Sequence, residues 1–122
     1  MSEQAAQTAP TVMLVEDDQN LMHLMKRILR MKGLDAHTAA DAESALALLS
    51  EAPEINILIT DYLLSGDMNG VDLVSEARRQ FPRLRCVVIS GDVQKVHAYG
   101  LPIGTELLQK PFSVQQFIEL VS

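Results

Sequence analysis

Basic residues are scarce in this chain. Ten Lys and Arg stand against sixteen Asp and Glu, giving a net charge of −6 and a pI near 4.9. That balance argues against direct nucleic-acid binding, which needs a basic face. Cysteine is nearly missing as well: Cys86 is alone, so no internal disulfide forms and a reducing compartment suits the chain. It lies in a strand pattern and reads as a small buried hydrophobe. No apolar run approaches a membrane span, so no membrane insertion is expected. The first ten residues, MSEQAAQTAP, contain neither a basic segment nor an apolar one, which excludes a signal peptide there. Residues 1–10 are expected to be a disordered leader or a linker, and the location cytoplasmic. There are no internal repeats and no low-complexity blocks.

What is present is an alternation of short apolar runs and amphipathic stretches, enough for one domain of residues 11–122. TVMLV (11–15) predicts a strand. From Asp18 to Lys32, Leu21, Leu24, Met25 and Ile28 recur at helical spacing, with Gly33 as the C-terminal cap. LDAHTA (34–39) is a short strand candidate, and Asp41 caps an alanine-rich helix that stops before Pro53. INILIT (55–60) and CVVIS (86–90) are continuously apolar, as strands covered on both faces are. Between them a loop with Gly66 and Gly70 leads to a helix near 71–80. Asp92 opens a short polar helix, ELLQ (106–109) is a fifth strand, and Ser113 with Gln116 forms a capping-box pair for a last helix. Five β units each followed by α predict a doubly wound five-stranded parallel sheet with five flanking helices. Ligands of such sheets sit beyond the carboxyl ends of the strands.

Those ends carry the chemistry. MLVEDD runs from the first strand into Glu16, Asp17 and Asp18, a crowding of like charges that needs a reason. The third strand ends in Asp61, the fourth in Ser90, and the fifth in Lys110, Pro111 and Phe112. Carboxylates from separate strands meeting at one edge make a hard oxygen site suited to Mg²⁺. A double positive charge offsets their repulsion, and a lysine and a hydroxyl could take the oxygens of a phosphoryl group. Taken singly, each feature has a plainer reading: acids at a helix N-terminus, a turn aspartate, a Ser-Gly turn, a solvated lysine. Together they outweigh those readings.

The motifs LVEDD, LITDYLL, SGDMNG, VVISG and LQKPFS resemble, in order and spacing, the receiver domain of two-component response regulators, from Thr11 to Val121. The resemblance implies a flavodoxin-like sheet of order 2-1-3-4-5 and Asp61 as the phosphoacceptor. It implies that Asp17 binds Mg²⁺ directly and Glu16 through water, with Asp61 and the Leu63 backbone carbonyl completing the protein ligands. Ser90 resembles the switch hydroxyl and Lys110 the family lysine, before a cis peptide at Pro111. Asp18 is a neighbour of the acidic pair. The implied partners are a histidine kinase or histidine phosphotransfer protein, and a downstream protein or domain that reads the face of the fourth helix, fifth strand and fifth helix. The implied role is a signalling switch that assists its own phosphorylation, not an enzyme with an external substrate.

Some positions depart from the pattern. The loop after Asp61 is one residue longer than in many receivers, with Ser65 where proline is common, a form similar to receivers of hybrid sensor kinases. Leu107 stands where many relatives carry a switching Tyr or Phe. The Leu63 side chain cannot orient an attacking water, and Asp92 is the one polar candidate, so slow self-dephosphorylation is expected. Charge crowding predicts that Asp17→Asn stabilises the metal-free fold. In the first helix, Met22 and Leu29 widen the apolar arc. That arc reads equally well as broad core contact or as a docking surface for the kinase. His23 falls on the polar side of the first helix, His37 and His97 lack partners at ligand spacing, and SGDMNG lacks the alternating acids of an EF-hand. Two other classes remain: a pseudo-receiver acting only as an interaction module, and a haloacid-dehalogenase-type hydrolase. The hydrolase needs a second acid at the position of Leu63.

Overall fold

The computed structural model describes residues 10–122, so the expected leader falls almost wholly outside the described residues. Five strands alternate with five helices: β1 (Thr11–Val15), α1 (Gln19–Met31), β2 (Asp35–Ala39), α2 (Ala42–Glu51), β3 (Ile57–Asp61), α3 (Gly70–Gln80), β4 (Arg85–Ser90), α4 (Val93–Tyr99), β5 (Glu106–Gln109) and α5 (Val114–Val121). All pairings are parallel and the strand order is β2-β1-β3-β4-β5.

The continuous apolar runs are explained by two cores. Successive strand side chains point to opposite faces, and both faces are covered. Met13, Val15, Leu58, Cys86 and Val88 pack under α2, α3 and α4, with Leu49, Val74 and Val96. Val12, Leu14, Ile59, Val87 and Ile89 pack under α1 and α5, with Met25, Leu29 and Phe117. Each such side chain contributes about 1.5–3 kcal/mol by leaving water.

Local signals set the helix ends. Asp18 accepts from the backbone N–H of Asn20 and Leu21, and Asp41 from that of Ser44. Asn69 with Asp72, and Ser113 with Gln116, form reciprocal capping boxes. At the end of α1, Gly33 takes φ 75°, and the Leu34 N–H reaches back to the Leu29 carbonyl at 2.9 Å.

Two expectations shift. The third strand runs 57–61 rather than 55–60, because Ile55 closes a turn onto Ala52. The core stripe of α1 is rotated: Met22, Met25, Ile28 and Leu29 are buried, whereas Leu24 is 46% exposed and Leu21 only half-buried. The wide apolar arc holds two overlapping stripes of helical spacing, and periodicity alone cannot choose between them. Among the described residues no helix is long and apolar enough to cross a membrane.

Candidate functional site

Because every strand is parallel, the carboxyl ends of β1, β3, β4 and β5 lie along one edge, and the polar residues found there meet. The Glu16 N–H continues the ladder onto the Ala39 carbonyl at 3.2 Å, which carries its side chain inward: Glu16 is 1% exposed. Asp61 closes β3 and is 9% exposed. Beyond it, the Tyr62 N–H donates to the Ile89 carbonyl at 2.8 Å and the Gly70 N–H to the Tyr62 carbonyl at 2.7 Å. That folds the following loop tightly back. A Cβ at Gly70 would lie 2.2 Å from the Asp61 carbonyl oxygen, so only glycine fits.

Carboxylate oxygens of Glu16, Asp17 and Asp61 lie within 4.8 Å of one another. The Lys110 Nζ is 3.2 Å from Asp61 Oδ2 and 3.5 Å from Glu16 Oε1. It is held there from β5, whose next residue bonds back to β4: the Lys110 N–H donates to the Ser90 carbonyl at 2.8 Å. The Lys110–Pro111 peptide bond is cis.

One ammonium does not balance this cluster. Burial pushes the carboxyl groups of Glu16 and Asp61 above their ordinary values of 4.5 and 3.8. For Glu16 the Asp18 N–H, at 3.1 Å, opposes the shift while Asp61 and Asp17 add to it; for Asp61 the opposing group is Lys110. Glu16 Oε1 is buried and accepts no hydrogen bond among the described residues, with Lys110 only at ion-pair distance. A buried carboxylate oxygen left without a hydrogen bond beside two further carboxylates fits a hard divalent cation.

The remaining residues surround this centre. The Ser90 hydroxyl is 5% exposed and doubly engaged with Asp92, donating to its carbonyl at 3.1 Å and accepting from its N–H at 3.0 Å. Leu63 lies in the loop two residues past Asp61 with its side chain 63% exposed. Leu107 packs against the core under α2, α3 and α4. Leu21, Leu24, Pro111 and Phe112 line a shallow apolar cavity that reaches the Lys110 side chain. His37 faces Glu54 at 3.6 Å, away from the acidic cluster.

Two contributors escape sequence reasoning. Ser65, noted only as a replacement for proline, donates its hydroxyl to Asp17 Oδ2 at 3.3 Å, and its backbone bridges to Asp41. Asp18 serves twice, since its side chain caps α1 while its N–H holds Glu16.

The arrangement can be set beside known proteins. The family model for the response regulator receiver domain matches residues 12–122. The chain is 32% identical over 114 residues to the sensor kinase CckA of Brucella abortus, covering 91% of this chain and 12% of that one. It is also 32% identical over 110 residues to the transcriptional regulatory protein CpxR of Klebsiella pneumoniae, covering 88% of this chain and 45% of that one. The chain thus spans less than half the length of these relatives. The crystal structure of the receiver domain from the hybrid histidine kinase CckA superposes with a TM-score of 0.77 at 29% identity, over 91% of this chain and 94% of that one. By motif, sheet order and family match, the chain belongs to the response regulator receiver domains of two-component signal transduction.

Proposed function

We propose that Asp61 accepts a phosphoryl group from a phosphohistidine, with Mg²⁺ as cofactor, and that the domain then regulates a partner. The observation that carries this reading is the convergence of three carboxylates from β1 and β3 on one buried, incompletely satisfied centre beside Lys110. Glu16, Asp17, Asp61 and the Leu63 backbone carbonyl would hold the ion. When bound, Mg²⁺ supplies charge neutralisation between an anionic nucleophile and an anionic phosphoryl group. An Asp61 carboxylate oxygen attacks phosphorus in line, forming an O–P bond as the N–P bond to the donor imidazole breaks, and the imidazole retains the electron pair. Lys110 stabilises charge on the equatorial oxygens. Ser90 then exchanges its Asp92 contacts for a phosphoryl oxygen, which alters the face of α4, β5 and α5 that a downstream protein reads.

The phosphodonor is a histidine kinase or a histidine phosphotransfer protein. The rotated stripe of α1 supports a docking role, because Leu24 is left exposed and Leu21 half-buried next to Pro111 and Phe112. From Gln19 to Gly33 that helix and its C-terminal cap carry Lys26, Arg27, Arg30 and Lys32 and no acid, in a chain of net charge −6. Residues 11–122 form the functional unit, acting in the cytoplasm without contacting nucleic acid or membrane directly. Its chemistry is limited to assisting its own phosphorylation and slow dephosphorylation. Incubation with a small acyl phosphate and Mg²⁺, followed by intact mass, tests the assignment. One added phosphate, lost in Asp61→Asn and in chelator, is expected. Continuous turnover would mark a hydrolase, and an unchanged mass a pure interaction module.

A further inference from the structure

Tyr99 and Asp72 lie outside the acidic centre, yet they join two elements that border it. Helix α4 is seven residues long and buries only Val96, so its position depends on a few tertiary contacts. Its N-terminal end depends on Asp92, whose side chain accepts from the Lys95 N–H at 3.1 Å while its backbone is bonded twice to the Ser90 hydroxyl. Its C-terminal end is tied by Tyr99. That phenol donates to Asp72 Oδ1 at 2.6 Å, and the ring sits edge-on to Tyr62 with centroids 6.0 Å apart. Asp72 is fixed in turn by its capping box, its other oxygen accepting from the Asn69 N–H at 3.1 Å. Tyr62 is the residue directly after Asp61 and is buried.

We propose that the Tyr99–Asp72 contact is a latch that holds α4 against α3 in the unphosphorylated protein and opens when Asp61 is phosphorylated. The proposal rests on the reading of Asp61 as phosphoacceptor. For the Ser90 hydroxyl to reach a phosphoryl oxygen it must leave both Asp92 contacts, which frees the residue that caps α4. The helix is then held by Val96 and by Tyr99, and the bond at Tyr99 is the one that can give, because that side chain is 53% exposed. The bond is charge-assisted, and it pushes the Tyr99 phenol above its ordinary pKa, as a carboxylate acceptor does. No aromatic residue stands at position 107 to take this part; Leu107 is half-buried against the core. A contact present in one state and absent in the other resists any ligand of the second state by its own free energy, so its removal raises that ligand's affinity by the same factor.

The test uses Tyr99→Phe, which keeps the ring and removes the hydroxyl, with beryllofluoride and Mg²⁺ as the phosphoryl mimic. Amide hydrogen exchange across residues 93–99 of the variant is expected to quicken about two- to tenfold, and beryllofluoride to bind tighter by a similar factor. Asp72→Asn, which keeps an acceptor for the α3 cap but offers the phenol a weaker one, is expected to move both readings the same way. Unchanged exchange in Tyr99→Phe overturns the latch while leaving the phosphoacceptor reading intact. Faster exchange with unchanged beryllofluoride affinity overturns the coupling. Absence of beryllofluoride binding by the parent chain refutes the phosphoacceptor reading, and the latch with it.

Discussion

Asp61→Asn is expected to make the metal-free protein more stable while removing the residue on which the proposed function depends. With an effective dielectric near 20, a Glu16 oxygen within 4.8 Å repels the Asp61 carboxylate by about 3 kcal/mol. Asp17 adds a smaller amount, because it is exposed and screened. Lys110 at 3.2 Å returns about 5 kcal/mol of attraction by the same estimate. The pair terms therefore nearly cancel, leaving the cost of burying a carboxylate as the deciding effect, and the neutral amide avoids that cost. A net gain of about 1–2 kcal/mol is expected, typical of relieving a functional cluster. For a domain of this size the gain raises Tm in chelator by about 3–8 °C.

The pH dependence carries a sign that separates this cause from general acid sensitivity. Both Glu16 and Asp61 have folded-state pKa values above their ordinary 4.5 and 3.8, so the folded protein binds more protons than the unfolded chain in that interval. Stability in chelator should then rise as pH falls through the raised values, levelling off near the ordinary ones. Asp41, Glu76 and Glu106 are shifted downward, so their stabilising contributions are lost only at lower pH. The assay is thermal melting of parent and variant in chelator between pH 7 and 5, repeated in Mg²⁺. Mg²⁺ should raise the parent's Tm more than the variant's. A variant melting at or below the parent in chelator, or a parent whose stability falls steadily from pH 7 to 5, would refute the reasoning.

Asp17→Asn should raise Tm in chelator by less than Asp61→Asn does, because Asp17 is exposed, while weakening Mg²⁺ binding measured by titration calorimetry; an equal or larger rise would contradict this. Leu63→Asn should quicken release of phosphate from the radiolabelled protein, since an amide replaces an exposed alkyl group unable to orient water; a parent half-life of seconds would sink the idea. Gly70→Ala should lower stability by about 3 kcal/mol or more in denaturant titration, because its Cβ meets the Asp61 carbonyl and cannot retreat without moving the β3–α3 turn; an unchanged midpoint would show that the turn yields freely.

What was legible in the sequence is what burial and chain direction encode. ILIT and CVVIS announce strands covered on both sides, and parallel pairing then forces Glu16, Asp61, Ser90 and Lys110 onto one edge whatever the details of packing. The core face of α1 departs from the expected one because Leu21–Leu24–Met25–Ile28 and Met22–Met25–Leu29 both satisfy helical spacing. Which stripe turns inward is settled by how Asp18 caps the helix and how α1 meets β1, and neither enters a periodicity. Side-chain pairs across loops were illegible for a different reason. Ser65 with Asp17 and Tyr99 with Asp72 are 48 and 27 residues apart, and nothing in local spacing makes one residue of each pair require the other. These cross-loop contacts bear on the exposed periphery of the site rather than on its buried centre. Asp61 and Glu16 are positioned by strand register, which many residues enforce together, whereas the Asp17 carboxylate, the Ser90 hydroxyl and α4 are each held by one or two hydrogen bonds. The proposed switch needs that division: its phosphoacceptor would stay with the sheet, and the groups that answer it would be held weakly enough for one phosphoryl group to rearrange them.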